Sequence, residues 1–190
     1  MRVTHEIEIT PTSVVLNGHP IATSGLRDAN ETITGEKMLV ELYREYVKDY
    51  PKFFKMDTLS RLGFMAAELL LQAEGAERFV PCEDRAVILA NRSASIKNDK
   101  DYLKTISEGN YYPSPALFVY TLPNIVTGEI AIRNKYLGET AFYVLDKPEQ
   151  LTPIIETTLN ATPQTSAIAG WCECSDANSF YAKLQIIWKN

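Results

Sequence analysis

The sequence is poor in the residues that most often carry disulfide or metal chemistry, since its 190 residues include only three cysteines and two histidines. An odd number of cysteines does not make a disulfide framework, and we predict a reducing, cytoplasmic location. No apolar run approaches bilayer length and the N-terminus has no secretion core, so we predict no membrane segment. Phosphate loops, nucleophile elbows and paired-histidine motifs are also missing, and we predict no cofactor.

The charge balance argues against a large nucleic-acid surface. Nineteen Lys and Arg residues against 24 Asp and Glu residues leave a formal net charge of -5, whereas proteins that hold a phosphate backbone carry a basic excess. Hydrophobic residues make up 45% of the chain and charged residues 23%, which is ordinary for a globular protein. We predict one domain over residues 1–190 that binds no nucleic acid.

The N-terminal residues predict a small hairpin extension near residues 1–25. Apolar and polar residues alternate from Val3 to Ile9 with the period of a half-buried strand. Asn17-Gly18 tolerates the positive φ angles of a type I′ turn, which favours a hairpin at this point. Pro20 cannot donate a ladder hydrogen bond, so its strand is expected at a sheet edge. Thr23 to Gly35 shows no period and is predicted to be loop.

The rest of the chain alternates helical periods with short apolar runs. Strands separated by helices are typical of a layered α/β domain with a mixed sheet, which is the fold class we predict. Asp57, Ser114 and Asp146 are expected to cap three of the helices. The predicted helices begin near residues 36, 57, 95, 114, 124 and 146, and the predicted strands cover 85–90, 141–145, 165–172 and 179–188, the last two antiparallel.

Part of this pattern forms a recognisable series of residues. The series consists of Asp57-x-x-Ser60-Arg61, Arg85 to Asn91, Ser114-Pro115-x-x-Phe118, Pro123-Asn124, Gly128-x-Ile130-Ala131 and Tyr136-Leu137-Gly138. It resembles the N-terminal half of a β-ketoacyl synthase, a member of the thiolase-like superfamily, over roughly residues 57–175. The resemblance implies a thiolase-like single half-domain with a mixed β-sheet layered with helices.

The departures from that family are as informative as the matches. Ketosynthases place a nucleophilic cysteine about ten residues after the glycine that matches Gly138, but residues 138–148 here contain no Cys, Ser or Gln. Their second half supplies two catalytic histidines, whereas this chain has only His5 and His19, both near the N-terminus. The resemblance therefore implies the ketosynthase fold without the nucleophile and without the second half.

The implied function is a β-ketoacyl-synthase-like protein that acts as a non-catalytic subunit or partner in fatty-acid-type or polyketide-type chain elongation. In the family, the strand before the nucleophile and the helix before that strand build the dimer interface. We therefore predict that Ala141, Phe142, Tyr143 and Val144 support a homodimer or a heterodimer with a ketosynthase. A modest basic cluster around a helix consists of Arg92, Lys97, Lys100 and Lys104. This cluster is either a surface for an acyl carrier protein or a solvated helix face.

Two alternative functions stay open on the sequence. A condensing or acyl-transfer enzyme that is active only with a second subunit would have to use Cys172 or Cys174, because Cys82 lies beside acids that raise a thiol pKa. Cys172 and Cys174 do not by themselves make a metal site, because a zinc ion needs four ligands and the sequence shows no further Cys or His in register with them. A module that binds acyl or aryl ligands would use Tyr111, Tyr112, Phe118 and Tyr120. Aromatic residues at such positions are more often part of a core edge or an oligomer interface.

Overall fold

A mixed seven-stranded β-sheet organises the computed structural model, which describes residues 1–21, 27–28, 31–109 and 112–190. The strand order is β3-β2-β1-β9-β8-β6-β7, and β4 and β5 form a separate antiparallel pair. The strands are β1 (Arg2–Ile9), β2 (Val14–Leu16), β3 (His19–Pro20), β4 (Arg27–Asp28), β5 (Glu31–Thr32), β6 (Arg85–Asn91), β7 (Thr140–Val144), β8 (Ser166–Asp176) and β9 (Ser179–Trp188).

Six α-helices accompany the sheet in the described part of the chain. They are α1 (Glu36–Tyr46), α2 (Thr58–Glu74), α3 (Ile96–Leu103), α4 (Pro115–Val119), α5 (Ile125–Asn134) and α6 (Leu151–Ala161), with 3-10 turns at Pro51–Lys55 and Pro148–Gln150. None of these helices is long and apolar enough to cross a membrane.

The strand directions divide the sheet into two parts. β6 lies between β7 and β8 and is parallel to both. β9 is antiparallel to β8 on one side and to β1 on the other. The predicted mixed sheet and the predicted antiparallel pairing of the last two strands are thus confirmed.

The N-terminal hairpin forms where the sequence predicts it. Asn17 and Gly18 adopt φ angles of 52° and 79°, as a type I′ turn requires. Leu16 then pairs with His19, and β3 lies at the edge of the sheet because Pro20 supplies no N–H donor. The predicted loop over residues 23–35 is wrong for β4 and β5, and its residues 23–26 and 29–30 lie outside the described part.

The central helix α2 is stabilised at both ends by local chemistry. The Asp57 carboxylate accepts a hydrogen bond from Ser60 N at 3.0 Å, and Gly75 ends the helix with a φ of 67°. Almost every residue from Thr58 to Leu71 is buried, because α2 packs between the sheet, α1 and α5. The predicted helix from Asp57 to about Glu74 is confirmed.

Helices cover the two faces of the sheet unequally. On one face α1, α2 and α5 enclose the main core, to which Val87 and Leu89 of β6 contribute. On the other face α6 packs Leu151, Ile155 and Leu159 against a smaller core, and no other described helix contributes a buried residue to it. Every residue of β6 is buried because this strand is covered on both faces.

The predicted cap at Asp146 is wrong by one residue. Leu145 N donates to Asn91 O at 2.8 Å, so the strand pairing continues past Val144 and the chain leaves the sheet later. A 3-10 turn then starts after Lys147, whose N–H donates to Gln150 Oε1 at 2.9 Å. Asp146 is left exposed and caps nothing.

Candidate functional site

β7, which contains the four predicted interface residues, is the last strand on its side of the sheet. It pairs with β6 in parallel, with Val87 opposite Thr140 and Asn91 opposite Val144. Ala141, Phe142 and Tyr143 are partly exposed, and Val144 keeps 56% of its surface exposed. The structure therefore places the four residues on a free sheet edge.

The hydrogen bonds to β6 show which backbone groups of β7 are unused. Glu139 O accepts from Val87 N at 2.8 Å, and Leu145 N donates to Asn91 O at the same distance. Because successive residues of a strand point their N–H and C=O groups to opposite sides, odd-numbered residues of β7 face β6. Even-numbered residues, from Thr140 to Val144, direct theirs outward.

The two edges of the sheet differ in how they are protected. β3 has only two residues and contains Pro20, which are common ways of blocking a sheet edge. β7 has five residues without a proline, glycine or charge. An unprotected edge of this kind is a template for another strand, so β7 is the better candidate for assembly.

An open groove of about 480 Å³ lies between α5 and the residues that lead into β7. Gly128, Ala131 and Ile132 of α5 form one wall, and Leu137 and Thr140 contribute to the other. The side chains of Ile132 and Leu137 each keep 64% of their surface exposed. This apolar groove extends the exposed surface of the β7 edge onto the helix layer.

Gly128 is not required by packing against any residue that the structure describes. A Cβ atom built at this position meets nothing within 4 Å, and its backbone has no positive φ. Every other described glycine either has a positive φ or lies so close to a neighbouring atom that an added Cβ would clash with it. Glycine in a helix costs about 1 kcal/mol relative to alanine, so Gly128 lowers the stability of α5 without relieving a contact among the described residues.

The turn where the resemblance places a nucleophilic cysteine contains no Cys or Ser. β7 is followed by Leu145, by exposed Asp146 and Lys147, and by Pro148 at the start of the 3-10 turn. The thiol that the resemblance implies at this point is therefore not present in the turn.

The two cysteines of β8 point into the main core and are poor nucleophiles. Cys172 Sγ lies 3.9 Å from Leu59 O, and burial raises the pKa of Cys172 well above its ordinary value. Burial, with Asp57 nearby, raises the pKa of Cys174 to about 12. Since the thiolate is the reactive form, both side chains stay unreactive near neutral pH.

The third cysteine lies in the connection before β6, away from the other two. Cys82 is half-buried, and its backbone bonds to Lys135 O at 3.0 Å and to Leu137 N at 2.8 Å. Its main-chain contacts hold the end of α5 against the start of β6. The three cysteines are therefore not gathered into one site.

The other predicted groups do not converge either. His5 of β1 and His19 of β3 are separated by β2, so they do not face each other. Within the basic cluster, Lys97 and Lys104 both pair with Asp101, at 3.2 and 2.7 Å. That pairing favours the solvated-face interpretation of the cluster.

The aromatic residues considered for ligand binding lie in different environments. Tyr111 lies outside the described residues, and Tyr112 is largely exposed. Phe118 is half-exposed with its ring 5.5 Å from that of Tyr102, whereas Tyr120 packs against the main core. Phe118 and Tyr120 therefore do not line one pocket.

No family model matches the sequence, and no curated protein matches it. Solved structures do match. The ishigamide ketosynthase/chain length factor has a TM-score of 0.68 at 17% identity, over 98% of this chain and 61% of the matched chain. The ketosynthase ApeO in complex with its chain length factor ApeC from Xenorhabdus doucetiae has a TM-score of 0.61 at 12% identity, over 99% of this chain and 79% of the matched chain.

These likenesses establish the fold. The seven-stranded mixed sheet with its helices matches the α/β fold of the ketosynthase/chain length factor proteins, and the predicted fold class is confirmed. This chain spans about three fifths of the length of the ishigamide match. Fold alone does not determine chemistry, because one fold hosts many functions.

Proposed function

We propose that this chain is a non-catalytic, ketosynthase-like subunit that works with a ketosynthase in polyketide-type or fatty-acid-type chain elongation. The turn after β7 carries the proposal, since Asp146, Lys147 and Pro148 stand where the resemblance expects the nucleophile. Condensation needs an activated nucleophile and a positioned acid-base pair. Both matched structures pair a ketosynthase with a chain length factor, which supports a partner role.

The β7 edge is the surface through which we propose that the subunit assembles. Ala141, Phe142, Tyr143 and Val144 offer an apolar strand with unused outward hydrogen-bonding groups. A ketosynthase with a free edge strand would extend the sheet by antiparallel or parallel pairing. We further propose that the chain corresponds to one half of the ketosynthase fold as a single domain.

The absence of covalent chemistry is testable on the protein alone. Incubation of the native chain with an acyl thioester is expected to leave Cys172 and Cys174 without an acyl adduct in peptide mass analysis, because burial keeps both thiols protonated. As a positive control, the chain unfolded in urea should take up iodoacetamide at all three cysteines. An acyl adduct on either β8 cysteine in the native protein would contradict the proposal and favour the enzyme alternative.

Partner binding is tested by mixing the chain with a ketosynthase of the same organism and measuring the mass of the complex by light scattering. A mixed complex is expected. Val144→Lys should abolish it, because a lysine on a free strand blocks pairing. Val3→Lys is the matched control, since Val3 is similarly exposed on β1, an internal strand. Failure of the unaltered chain to form a complex would contradict the partner role.

A further inference from the structure

A cleft opens beside α6 on the sheet face opposite the main core, and we infer that it binds a small, flat, uncharged ring that carries a primary amide. The cleft holds about 170 Å³ and lies between the start of α6 and strands β8 and β9. No residue of the β7 edge lines it, so this site is independent of the proposed partner role. Phe118 and Tyr120 do not line it either.

The cleft exists because α6 covers only part of this sheet face. Ala167 and Ala169 of β8 are fully buried in the smaller core beneath the helix. Beyond the helix, Trp171 of β8 and the β9 residues that line the cleft remain partly exposed. The strand register places Trp171 directly opposite Lys183, and Ala169 opposite Gln185. Because the alanine side chain is small, it leaves space beside the indole ring, between the helix and the strands.

The size and the walls of the cleft suit one flat ring. An engineered apolar cavity of about 150 Å³ binds benzene, and this cleft has a similar volume. Leu151 and Ile155 of α6 are buried and contribute branched aliphatic side chains to one wall. The Trp171 side chain contributes an aromatic surface from β8. Apolar walls with a few polar groups that fix orientation are typical of sites for small molecules.

The charged groups around the cleft are already paired with one another. Lys183 Nζ lies 3.2 Å from Glu6 Oε1 on β1, and Gln185 Nε2 donates to the other oxygen of the same carboxylate. Tyr181 is hydrogen-bonded to Glu8, the next acid on the same face of β1. A ligand carboxylate would have to displace Glu6 from Lys183 and would then lie near two acids, whereas a ligand cation would meet Lys183. The cleft therefore favours an uncharged ligand.

Two polar groups of the cleft keep the capacity for a further hydrogen bond. The Trp171 indole N–H donates to no described residue, and Gln185 Oε1 accepts from none, since the amide of Gln185 contacts Glu6 through Nε2. One donor and one acceptor on neighbouring strands match a primary amide, whose carbonyl oxygen accepts and whose NH2 group donates. A carboxylate has no proton to donate to Gln185. An aryl amide therefore satisfies the shape, the charge and the hydrogen bonding of the cleft together.

Benzamide is the probe that tests the class of ligand, since it is one planar ring with a primary amide. We expect it to bind the full chain with a Kd on the order of 1 mM, because so small a molecule supplies little binding energy. Binding should shift the indole N–H signal of Trp171 in the NMR spectrum and leave that of Trp188, the other tryptophan, unchanged. Benzoate, which has a carboxylate in place of the amide, should bind at least tenfold more weakly. Benzoate binding as tight as that of benzamide, or no saturable shift of Trp171 with benzamide, would overturn the inference.

Filling the cleft from the helix side tests its location. Thr152 is exposed on α6 and lines the cleft, so Thr152→Phe should abolish benzamide binding without disturbing a buried side chain. Thr157→Phe is the matched control, because Thr157 is exposed on the same helix but lines a different groove. Circular dichroism checks that both variants keep the fold. Benzamide binding that survives Thr152→Phe, or that both variants abolish equally, would contradict the site.

Removing the indole N–H tests the hydrogen bond to the ligand. Trp171→Phe keeps an aromatic ring in the cleft but takes away the donor, so benzamide should bind about tenfold more weakly in ligand-observed NMR titrations. Toluene, which has the ring without a polar group, should bind the unaltered chain and the variant with similar affinity. An unchanged affinity for benzamide in Trp171→Phe, or an equal loss for benzamide and toluene, would overturn the amide as the group that the cleft recognises.

Discussion

Replacing Arg85 by methionine is expected to destabilise the fold by about 3–5 kcal/mol, the usual cost of leaving one partner of a buried ion pair alone. Arg85 opens β6 and donates two hydrogen bonds to the Glu74 carboxylate at the end of α2, at 2.6 and 2.7 Å. Both side chains are only 8% exposed. Arg85→Met would leave a buried carboxylate without a partner, and urea unfolding measures the loss.

Two further variants control this prediction. Arg85→Met/Glu74→Leu removes both charges, and its cost is expected to be smaller than the sum of the single changes, since no charge is left buried. Arg44→Met breaks the surface pair with Glu41, where Arg44 is 61% exposed, and should change stability by less than about 1 kcal/mol. An Arg85→Met effect as small as that of Arg44→Met would contradict the buried-pair argument.

The contacts of Arg85 explain why replacing this one side chain is expected to destabilise the fold strongly. Besides Glu74, its guanidinium group donates to Ser166 Oγ of β8 at 3.0 Å and lies 5.6 Å from the Trp188 ring of β9. One side chain therefore joins the end of α2 to three adjacent strands. From the sequence, Arg85 is only the polar start of an apolar run, because its partners are distant along the chain.

Elements that depend on neighbouring residues were predictable from the sequence. Asp57 and Gly75 mark the ends of α2, and Asn17-Gly18 marks the hairpin, because caps and tight turns depend on the conformation of a few consecutive residues. The cap at Asp146 was not predictable in this way. Its position depends on the hydrogen bond from Leu145 to Asn91, which is a contact between two strands.

The order of the strands in the sheet depends on contacts between residues that are far apart in the sequence, and the hydrophobic periodicity of each segment does not reveal those contacts. β1 pairs with β9 from the opposite end of the chain, so that Ile7 lies opposite Leu184. The resemblance identified residues 141–144, but only the strand order shows that β7 is an unprotected edge.

The two helical glycines Gly63 and Gly128 are expected to respond oppositely to alanine. Gly63 lies where α2 crosses α5, and a Cβ there would be 2.4 Å from Val126 Cγ2. Valine is stiff in a helix and cannot swing away cheaply, so overpacking should outweigh the better helix propensity of alanine. We expect Gly63→Ala to lower the free energy of unfolding by about 1–3 kcal/mol.

Gly128→Ala is the matched control, because the same substitution meets open space on α5. At concentrations where the chain is monomeric, it should raise the free energy of unfolding by about 0.5–1 kcal/mol through helix propensity alone. Val126→Ala should relieve the overlap in the Gly63→Ala background, so the double variant should cost less than the sum of the two changes. Equal effects of alanine at Gly63 and Gly128, measured by urea unfolding, would contradict this account of the helix crossing. Opposite signs would show that Gly63 is required by packing within the chain, whereas Gly128 is not.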